Sequence, residues 1–401
     1  MSTVAAWLGL CAAGCPARGG GTPVVRPGID VLLLDSAHLV AGRSVGLLTN
    51  QTGVDRNGAH DLDRLLQAGV RVTAVFSPEH GFRGTLDREN IGHGVDSATG
   101  LPVFSLYGET REPTAEMLDR VDVLVVDLQD IGARTYTYVS TTLLALGAAA
   151  RHGVPVIVLD RPNPIGGAAV QGPVLNRAFA SFVGMLPVPL RHGMTLGELA
   201  ALGNEALQLG AELTVVPVAG WTRDRWFDTT GLPWVRPSPN MPSLESATHY
   251  PGLVLFEATS LSVGRGTDVA FQVIAAPWLA PSRVRARLPA LPGVVVTDTT
   301  VTPEAPSDGK YPGEALPALL FRATDRTAYD PVRTAAALLV ALQEVHPGVL
   351  DVDAGRFDRL AGTDALRIAV EGGRAIEEVT AGWRSAQDRF ERVRSQYLLY
   401  P

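Results

Sequence analysis

Polar side chains follow several apolar, strand-like segments of this chain, each at the point where the segment ends. The segment VTAVFS (72–77) leads directly into Glu79 and His80, within the stretch SPEHGFRG. The segments SVGLLT (44–49), VDVLVVDL (121–128) and VPVIVLD (154–160) lead in the same way to Asn50, Gln51, Asp127, Gln129, Asp130, Asp160, Arg161 and Asn163. Ligands bind outside the carboxyl ends of the strands in an open parallel sheet, so we expect one site there. The alternative is that these side chains only cap helices and turns.

Glu79 is the candidate general acid of this site. Removal from water after a buried strand favours the protonated form of a carboxyl group, which can give its proton to a glycosidic oxygen or a similar leaving group. Asp127 is the second candidate catalytic carboxylate. His80 is either a substrate-binding residue or a histidine that hydrogen-bonds to the backbone at a turn.

Arginines and tyrosines accompany these acidic groups. Arg134, Tyr136 and Tyr138 lie in QDIGARTYTYVS, Arg161 follows in DRPNP, and Arg191 precedes His192 in PLRHG. Arginines near an acidic cleft either neutralise it or bind a substrate carboxylate through the forked guanidinium group. The sequence leaves both interpretations open.

The chain lacks the motifs of several common enzyme classes. No glycine-rich dinucleotide fingerprint follows the first strand, no GxxxxGK[ST] phosphate loop occurs, and no GxSxG nucleophile turn is present. These absences disfavour NAD, nucleoside triphosphates and a serine hydrolase mechanism. We therefore expect no cofactor.

A metal-dependent hydrolase or deacetylase is the alternative function. Its candidate ligands are His80, Asp127, Asp130, Asp160 and His192. No HxH or HExxH motif places several of them on one element, whereas metal ligands commonly occur in such short-spaced pairs. We therefore expect no metal site.

Strand-like and helix-like segments alternate through the first half of the chain. Helical patterns near 58–68, 137–151 and 195–207 separate the apolar runs, which is typical of βαβ units. This predicts an α/β fold with a Rossmann-like parallel-sheet domain over residues 25–210. Beyond it, the proline-rich LPWVRPSPNMPS (232–243) cannot be a regular element.

The second domain is predicted over residues 211–401 as a smaller, mixed, β-rich unit that completes the cleft. Short strand-like runs occur near 252–256, 269–276, 293–297 and 317–322. Helical patterns follow near 331–345 and 374–396.

The composition bounds the cellular context and the partners. The chain has 401 residues, 46% of them hydrophobic, and a formal net charge of −7, which disfavours nucleic acid as a partner. Residues 1–24 resemble an export leader: both cysteines, Cys11 and Cys15, lie in an apolar, small-residue segment. We expect an exported protein, periplasmic or extracellular, with a possible lipid anchor at Cys15.

Eleven ordered blocks of the sequence strongly resemble the exo-β-N-acetylmuramidase family. They include LLTNQTGVDRNG, SPEHGFRG, TGLPVFSLYGE, DVLVVDLQDIGARTYTYVST, VLDRPNPIGG, SFVGMLPVPLRHGMTLGELA, PSPNMPS, LSVGRGT and FDRLAGTDALR, and the similarity runs from about residue 28 to the end. Asn240 and Arg265 are candidate substrate-binding residues within two of these blocks.

The resemblance implies an exported bacterial glycoside hydrolase that releases N-acetylmuramic acid from the non-reducing ends of peptidoglycan fragments. It also implies a Rossmann-like domain joined to a smaller β-rich domain, with the site in the cleft between them and Glu79 as the catalytic glutamate. The expected partner is a muropeptide or a peptidoglycan-derived glycan. Its sugar carries a lactyl carboxylate, which Arg134 or Arg161 could hold.

The chain departs from the family pattern in the second domain. The family usually reads EGTNxSEGRGT, whereas this chain reads EATSLSVGRGT, with Ser260 in place of an asparagine and Val263 in place of a glutamate. These departures leave a second alternative open, which is a cell-wall sugar-binding protein without catalysis.

Overall fold

The computed structural model describes residues 24–88 and 90–401. The predicted leader and Cys15 therefore lie outside the described residues. Strands in the described part are β1 Ser44–Thr49, β2 Arg71–Ser77, β3 Gly94–Val95, β4 Pro102–Ser105, β5 Val123–Asp127, β6 Val156–Leu159, β7 Gln171–Val174, β8 Pro189–Arg191, β9 Leu213–Val216, β10 Val273–Ala275, β11 Val294–Val301 and β12 Leu316–Ala323.

Helices flank these strands along the whole described chain. They are α1 Gly28–Asp35, α2 Asp61–Gln67, α3 Ala115–Leu118, α4 Tyr138–Arg151, α5 Leu196–Ala206, α6 Leu244–Leu253, α7 Pro281–Arg285, α8 Pro331–Val345, α9 Ala354–Ala361, α10 Ala365–Glu371, α11 Ile376–Thr380 and α12 Trp383–Arg394. None of the helices in this part of the chain is both long and apolar enough to cross a bilayer.

A seven-stranded sheet forms the first half of the molecule, in the order β3-β4-β2-β1-β5-β6-β9. All neighbouring strands are parallel except β3 and β4. The chain winds outward from β1 in one direction through β2 and β4, and from β5 in the other through β6 and β9. The point where the winding direction reverses therefore lies between β1 and β5.

The sheet is buried on both faces. In β5, Val123 and Val125 pack with α1 and α2, whereas Leu124 and Val126 pack with α4 and α5. Successive strand residues point to opposite faces, and helices cover both, so the strands read as continuous apolar runs. The α/β fold class and the predicted strands and helices of this half are confirmed.

Local sequence signals also define the helix ends. Thr195 accepts a hydrogen bond from the Glu198 amide, and the Glu198 side chain accepts one from the Thr195 amide, which confirms the predicted capping box of α5. The predicted domain boundary at residue 210 falls too early for the sheet. Strand β9 lies beyond it and pairs with β6 along its length.

The second half contains a three-stranded antiparallel sheet in the order β10-β12-β11. The strands predicted near 269–276, 293–297 and 317–322 are present, but the strand predicted at 252–256 is wrong. There α6, which Ser243 caps at its start, continues into a buried 3₁₀ turn at Val254–Ala258. A short apolar run does not distinguish a buried strand from a buried helix.

The C-terminus returns to the first sheet. The Tyr400 ring packs edge-on against Trp221, at 5.1 Å between centroids, and its hydroxyl donates to Asp160 at 2.5 Å. The Arg223 amide donates to the carbonyl of Pro401. The last residues of the second half thereby fasten it to the end of β6.

Candidate functional site

The turn after β2 carries Glu79 and His80 into a cleft. His80 adopts a left-handed backbone conformation with φ of 71°, and Gly81 follows with φ of 74°. A left-handed residue other than glycine is costly and needs support from its surroundings. The His80 Nδ1–H supplies support by donating to the Leu86 carbonyl at 2.8 Å. The turn interrupts the alternation of strand side chains, and both Glu79 and His80 line the same cleft.

The cleft encloses about 650 Å³ between the first sheet and the second half of the molecule. Its walls come from the turn after β2, the residues that precede α4, and the segments around α6 and α9. The lining includes Glu79, His80, Asp87, Tyr107, Arg111, Thr135, Tyr136, Thr137, Phe182, Ser238, Tyr250, Glu257, Arg265, Phe271, Arg356 and Arg359.

Glu79 is a half-buried carboxyl group of the cleft. The Thr137 hydroxyl donates to Glu79 Oε2 at 2.5 Å. No arginine, lysine or histidine among the described residues forms an ion pair with Glu79. Within this part of the chain its carboxyl group therefore contacts a neutral hydroxyl and no cation.

The other two carboxyl groups of the cleft are paired. Glu257 accepts from Arg265 Nε at 2.6 Å, and Arg356 lies 3.8 Å away. Asp87 accepts from the Asn240 side chain at 2.5 Å and lies 3.7 Å from Arg265. Burial opposes the charge of Arg265, but the two carboxylates outweigh burial and raise the pKa of Arg265 above its ordinary value. Arg265 thus lies between the two acids and contacts both.

Tyrosines form the apolar side of the cleft. The Tyr136 and Tyr250 rings meet edge-on at 5.9 Å between centroids. Burial raises the pKa of both hydroxyls, so they remain protonated and able to donate hydrogen bonds. The Tyr136 hydroxyl has no hydrogen-bond partner within the described part of the chain.

Exposed arginines occupy the rim of the cleft. The Arg111 guanidinium group stacks on Phe182 at 4.0 Å and on Tyr107 at 4.8 Å from the ring centroids. Arg356 and Arg359 reach the cleft from α9. Arg111 and Arg359 have no carboxylate partner in residues 24–88 and 90–401, so their charges are available to an anionic ligand.

Most of the remaining predicted site residues lie outside this cleft. Only Glu79, His80, Tyr136 and Arg265 line it, and Asn240 reaches it through Asp87. The structure places the other predicted residues in a buried network at the ends of β1, β5, β6 and β8. These are Asn50, Asp127, Gln129, Asp130, Arg134, Tyr138, Arg161, Asn163, Arg191 and His192.

Asp127 and Arg161 form an ion pair at the centre of this network. Arg161 donates from Nε to Asp127 Oδ1 at 2.5 Å and from Nη2 to Oδ2 at 2.9 Å, and both side chains are buried. Arg161 also donates to the Val54 carbonyl. The expected catalytic role of Asp127 and the expected carboxylate-binding role of Arg161 are not supported by this arrangement, because their charged groups satisfy each other.

Arg134 and Arg191 donate hydrogen bonds to backbone carbonyls and do not line the cleft. Arg134 donates to the carbonyls of Pro173, Val188 and Leu360, and burial lowers its pKa to about 9. Arg191 donates to the Ile165 carbonyl, and burial lowers its pKa to about 10. The proposed lactyl-binding role of Arg134 is therefore also not supported.

Amide side chains complete the network. Gln129 donates to the carbonyls of Asp130 and Pro162, and Asn163 donates to that of Met194. Asn50 donates to the Tyr138 hydroxyl at 2.7 Å. The hydrogen bonds of these residues therefore fit the alternative interpretation, in which polar side chains at the strand ends only stabilise turns and helix ends.

The candidate metal ligands do not lie close together. His192 is fully buried, with Nε2 3.5 Å from Asp130, whereas His80 lies in the cleft. Asp160 accepts from Thr195 at 2.6 Å as well as from Tyr400, and burial raises its pKa to about 6. Across the described residues, no three His, Cys, Asp or Glu side chains are grouped as a metal ion would require.

The proline-rich segment closes the crevice between β1 and β5. Tyr138 donates from its hydroxyl to the Pro237 carbonyl at 2.5 Å, and the Gln51 side chain donates to the Arg236 carbonyl at 2.8 Å. Trp234 packs edge-on against Phe227 beside it. A crevice of this type usually admits the ligand of a doubly wound sheet, but here the chain itself fills it.

Several cleft residues were missed by the reasoning from strand ends. Tyr107, Phe182 and Arg359 lie within the blocks LYGE, SFVG and FDRL, which carry the family resemblance. Arg111 lies four residues after Tyr107. These blocks match the family pattern, but nothing in the spacing of the blocks along the chain indicates that these distant segments line one cleft.

The residues that depart from the family pattern, Val263 and Ser260, lie outside the cleft lining. Val263 is fully buried in the apolar core, and its carbonyl accepts from the Phe271 amide at 2.7 Å. The Ser260 hydroxyl accepts from the Asp351 amide at 3.2 Å. Neither side chain lines the cleft.

Comparisons with known proteins agree with the resemblance. Family models for the N-terminal and C-terminal parts of "Exo-beta-N-acetylmuramidase NamZ" match residues 45–245 and 248–400. The peptidoglycan beta-N-acetylmuramidase NamZ of Bacillus subtilis (strain 168) is 40% identical over 383 residues, which cover 94% of this chain and 92% of that protein.

Solved structures give the same result. Two crystal structures of DUF1343 family proteins from Bacteroides fragilis NCTC 9343 superpose with TM-scores of 0.85 and 0.75, at 34% and 31% identity. Each alignment covers 94% of this chain and 99% of the other. This chain belongs to the exo-beta-N-acetylmuramidase NamZ family.

Proposed function

We propose that this chain is an exo-acting glycoside hydrolase that releases N-acetylmuramic acid from the non-reducing ends of peptidoglycan fragments, with Glu79 as proton donor. Family membership supports the activity. One structural observation supports the assignment of Glu79: it is the cleft carboxyl group without a cationic partner among the described residues, whereas Asp87 and Glu257 are paired with Arg265. An acid catalyst must hold a proton at the working pH, and an ion-paired carboxylate does so less readily.

In the proposed reaction, Glu79 and the two acids beside Arg265 have different roles. Glu79 gives its proton to the glycosidic oxygen while the bond from that oxygen to the anomeric carbon breaks, and the bonding electrons stay on the oxygen. Positive charge then develops on the sugar ring. Water adds to the anomeric carbon and gives its surplus proton to a carboxylate of the cleft. Glu257 and Asp87 line the same cleft, where acidic side chains favour this positive charge.

The rim arginines are the proposed contacts for the lactyl carboxylate of the sugar. Arg111 is held flat by two aromatic rings, so little side-chain entropy remains to be lost when it binds an anion. Arg356 and Arg359 approach the same cleft from α9. These exposed guanidinium groups replace Arg134 and Arg161 in the proposal.

Export is a further part of the proposal, since peptidoglycan lies outside the cytoplasm. It is supported by the apolar leader-like segment before residue 25, and a lipid anchor on Cys15 by the sequence AAGC.

We expect Glu79→Gln to fold normally and to lose about 10²- to 10⁴-fold in kcat, because an amide keeps the shape but cannot donate the proton. Release of the sugar from a chromogenic muramide measures the loss, and thermal unfolding reports the fold. The exposed Glu116→Gln is the matched control and should keep wild-type turnover. If Glu79→Gln keeps more than about a tenth of kcat, Glu79 is not the acid.

We expect Arg111→Gln to lower kcat/KM on a substrate with terminal N-acetylmuramic acid by about 10-fold or more, since a charged hydrogen bond contributes roughly 1.5–3 kcal/mol. An analogue with terminal N-acetylglucosamine lacks the carboxylate, so its already low kcat/KM should change little. Arg384→Gln, on an exposed helix face, is the control. An equal loss on both sugars would show that Arg111 does not recognise the lactyl group.

Activity should survive exhaustive dialysis against a chelator, because the candidate ligands His80 and His192 lie in separate parts of the molecule and proton transfer from Glu79 needs no Lewis acid. A sample dialysed without chelator provides the reference rate. A loss that added zinc or manganese restores would favour the metal-dependent hydrolase.

We expect the full chain, expressed in a bacterial host, to leave the cytoplasm and to incorporate labelled palmitate. Cys15→Ser should abolish the label, because acylation needs the thiol. Cell fractionation and fluorography measure both outcomes. An unprocessed, unlabelled chain in the cytoplasm would contradict export and anchoring.

A further inference from the structure

Thr137 occupies an unusual position at the start of α4. It is the residue immediately before the helix, where a threonine side chain commonly accepts a hydrogen bond from the second or third helical amide. Its hydroxyl makes no such capping bond. Thr114 and Thr195, which precede α3 and α5, do cap their helices in this way. The Thr137 hydroxyl is therefore used for something other than its own helix.

The hydroxyl is directed at the catalytic carboxyl group instead. Thr137 Oγ1 donates to Glu79 Oε2 at 2.5 Å, although the two residues are 58 positions apart in the chain. Thr137 is 9% exposed and lines the same cleft as Glu79. Within the described residues this is the hydrogen bond that holds the Glu79 side chain. Oε1 is left for a substrate oxygen.

We infer that Thr137 is a positioning residue for Glu79, which fixes the carboxyl group through Oε2 so that the transferable proton is carried on Oε1. The inference rests on the proposed function of Glu79 as acid. A donor on one carboxyl oxygen directs the proton to the other, because the engaged oxygen accepts the hydroxyl hydrogen. A carboxyl group with a fixed orientation reaches the leaving oxygen more often than one that rotates freely.

Loss of the hydroxyl should therefore lower turnover more than substrate binding. Without the hydrogen bond the carboxyl group of Glu79 is less well oriented toward the leaving oxygen, which reduces kcat and leaves KM nearly unchanged.

Thr137→Val tests the inference, because it keeps the β-branched shape and removes only the donor, and no capping bond is lost. We expect kcat to fall about 10-fold or more and KM to change less than about threefold. Thr137→Ser keeps the hydroxyl and should retain kcat within about threefold. Thermal unfolding of both variants checks the fold.

A double-mutant cycle separates this inference from the proposed function. If Thr137 acts through Glu79, adding Thr137→Val to Glu79→Gln should cause little further loss of kcat. An inactive Glu79→Gln together with a Thr137→Val variant of wild-type kcat would overturn the positioning role and leave the proposed acid in place. An active Glu79→Gln would overturn both. A further 10-fold loss in the double variant would show that Thr137 acts independently of Glu79.

Discussion

The buried pair of Asp127 and Arg161 determines where this molecule can bind a ligand. Removal of two charges from water is costly, and only a well-aligned pair with further hydrogen bonds offsets the cost. Both conditions are met, since Arg161 contacts both oxygens of Asp127 and also the Val54 carbonyl. The pair fixes the ends of β5 and β6 to the loop after β1, and the charges of Asp127 and Arg161 satisfy each other. The crevice that doubly wound sheets usually offer to a ligand is thus part of the core.

The cleft therefore forms one strand further along the sheet, where β2 ends. The left-handed His80 turns the chain so that two adjacent side chains enter the same space, and the second half of the molecule provides the opposite wall. Asp87 joins the two sides through its contacts with Asn240 and Arg265. Because the walls come from segments far apart in sequence, the cleft exists only when both halves are folded and packed together.

The assembly of the cleft from distant segments explains how much of the structure the sequence could predict. Buried parallel strands leave a strong apolar signal, so the sequence predicts β1, β2, β5 and β6, and the structure confirms these strands. The same reasoning makes Glu79 a candidate from its place after β2. The ends of β1, β5 and β6 carry the same residue types as a binding site, and paired polar residues cannot be told from ligand-binding ones in sequence. Only the contacts of the described residues distinguish Asp127, which is paired with Arg161, from Glu79, which forms no ion pair.

The contrast between the cleft carboxyl groups also gives a physical reason for the proposed chemistry. Glu257 and Asp87 both contact Arg265. Among the described residues Glu79 accepts from the neutral Thr137 hydroxyl, forms no ion pair, and lies among tyrosines that burial keeps protonated. Carboxyl groups in different environments can take different roles in proton transfer. In the proposed reaction Glu79 therefore donates the proton, while the acids beside Arg265 add negative charge near the oxocarbenium-like sugar ring.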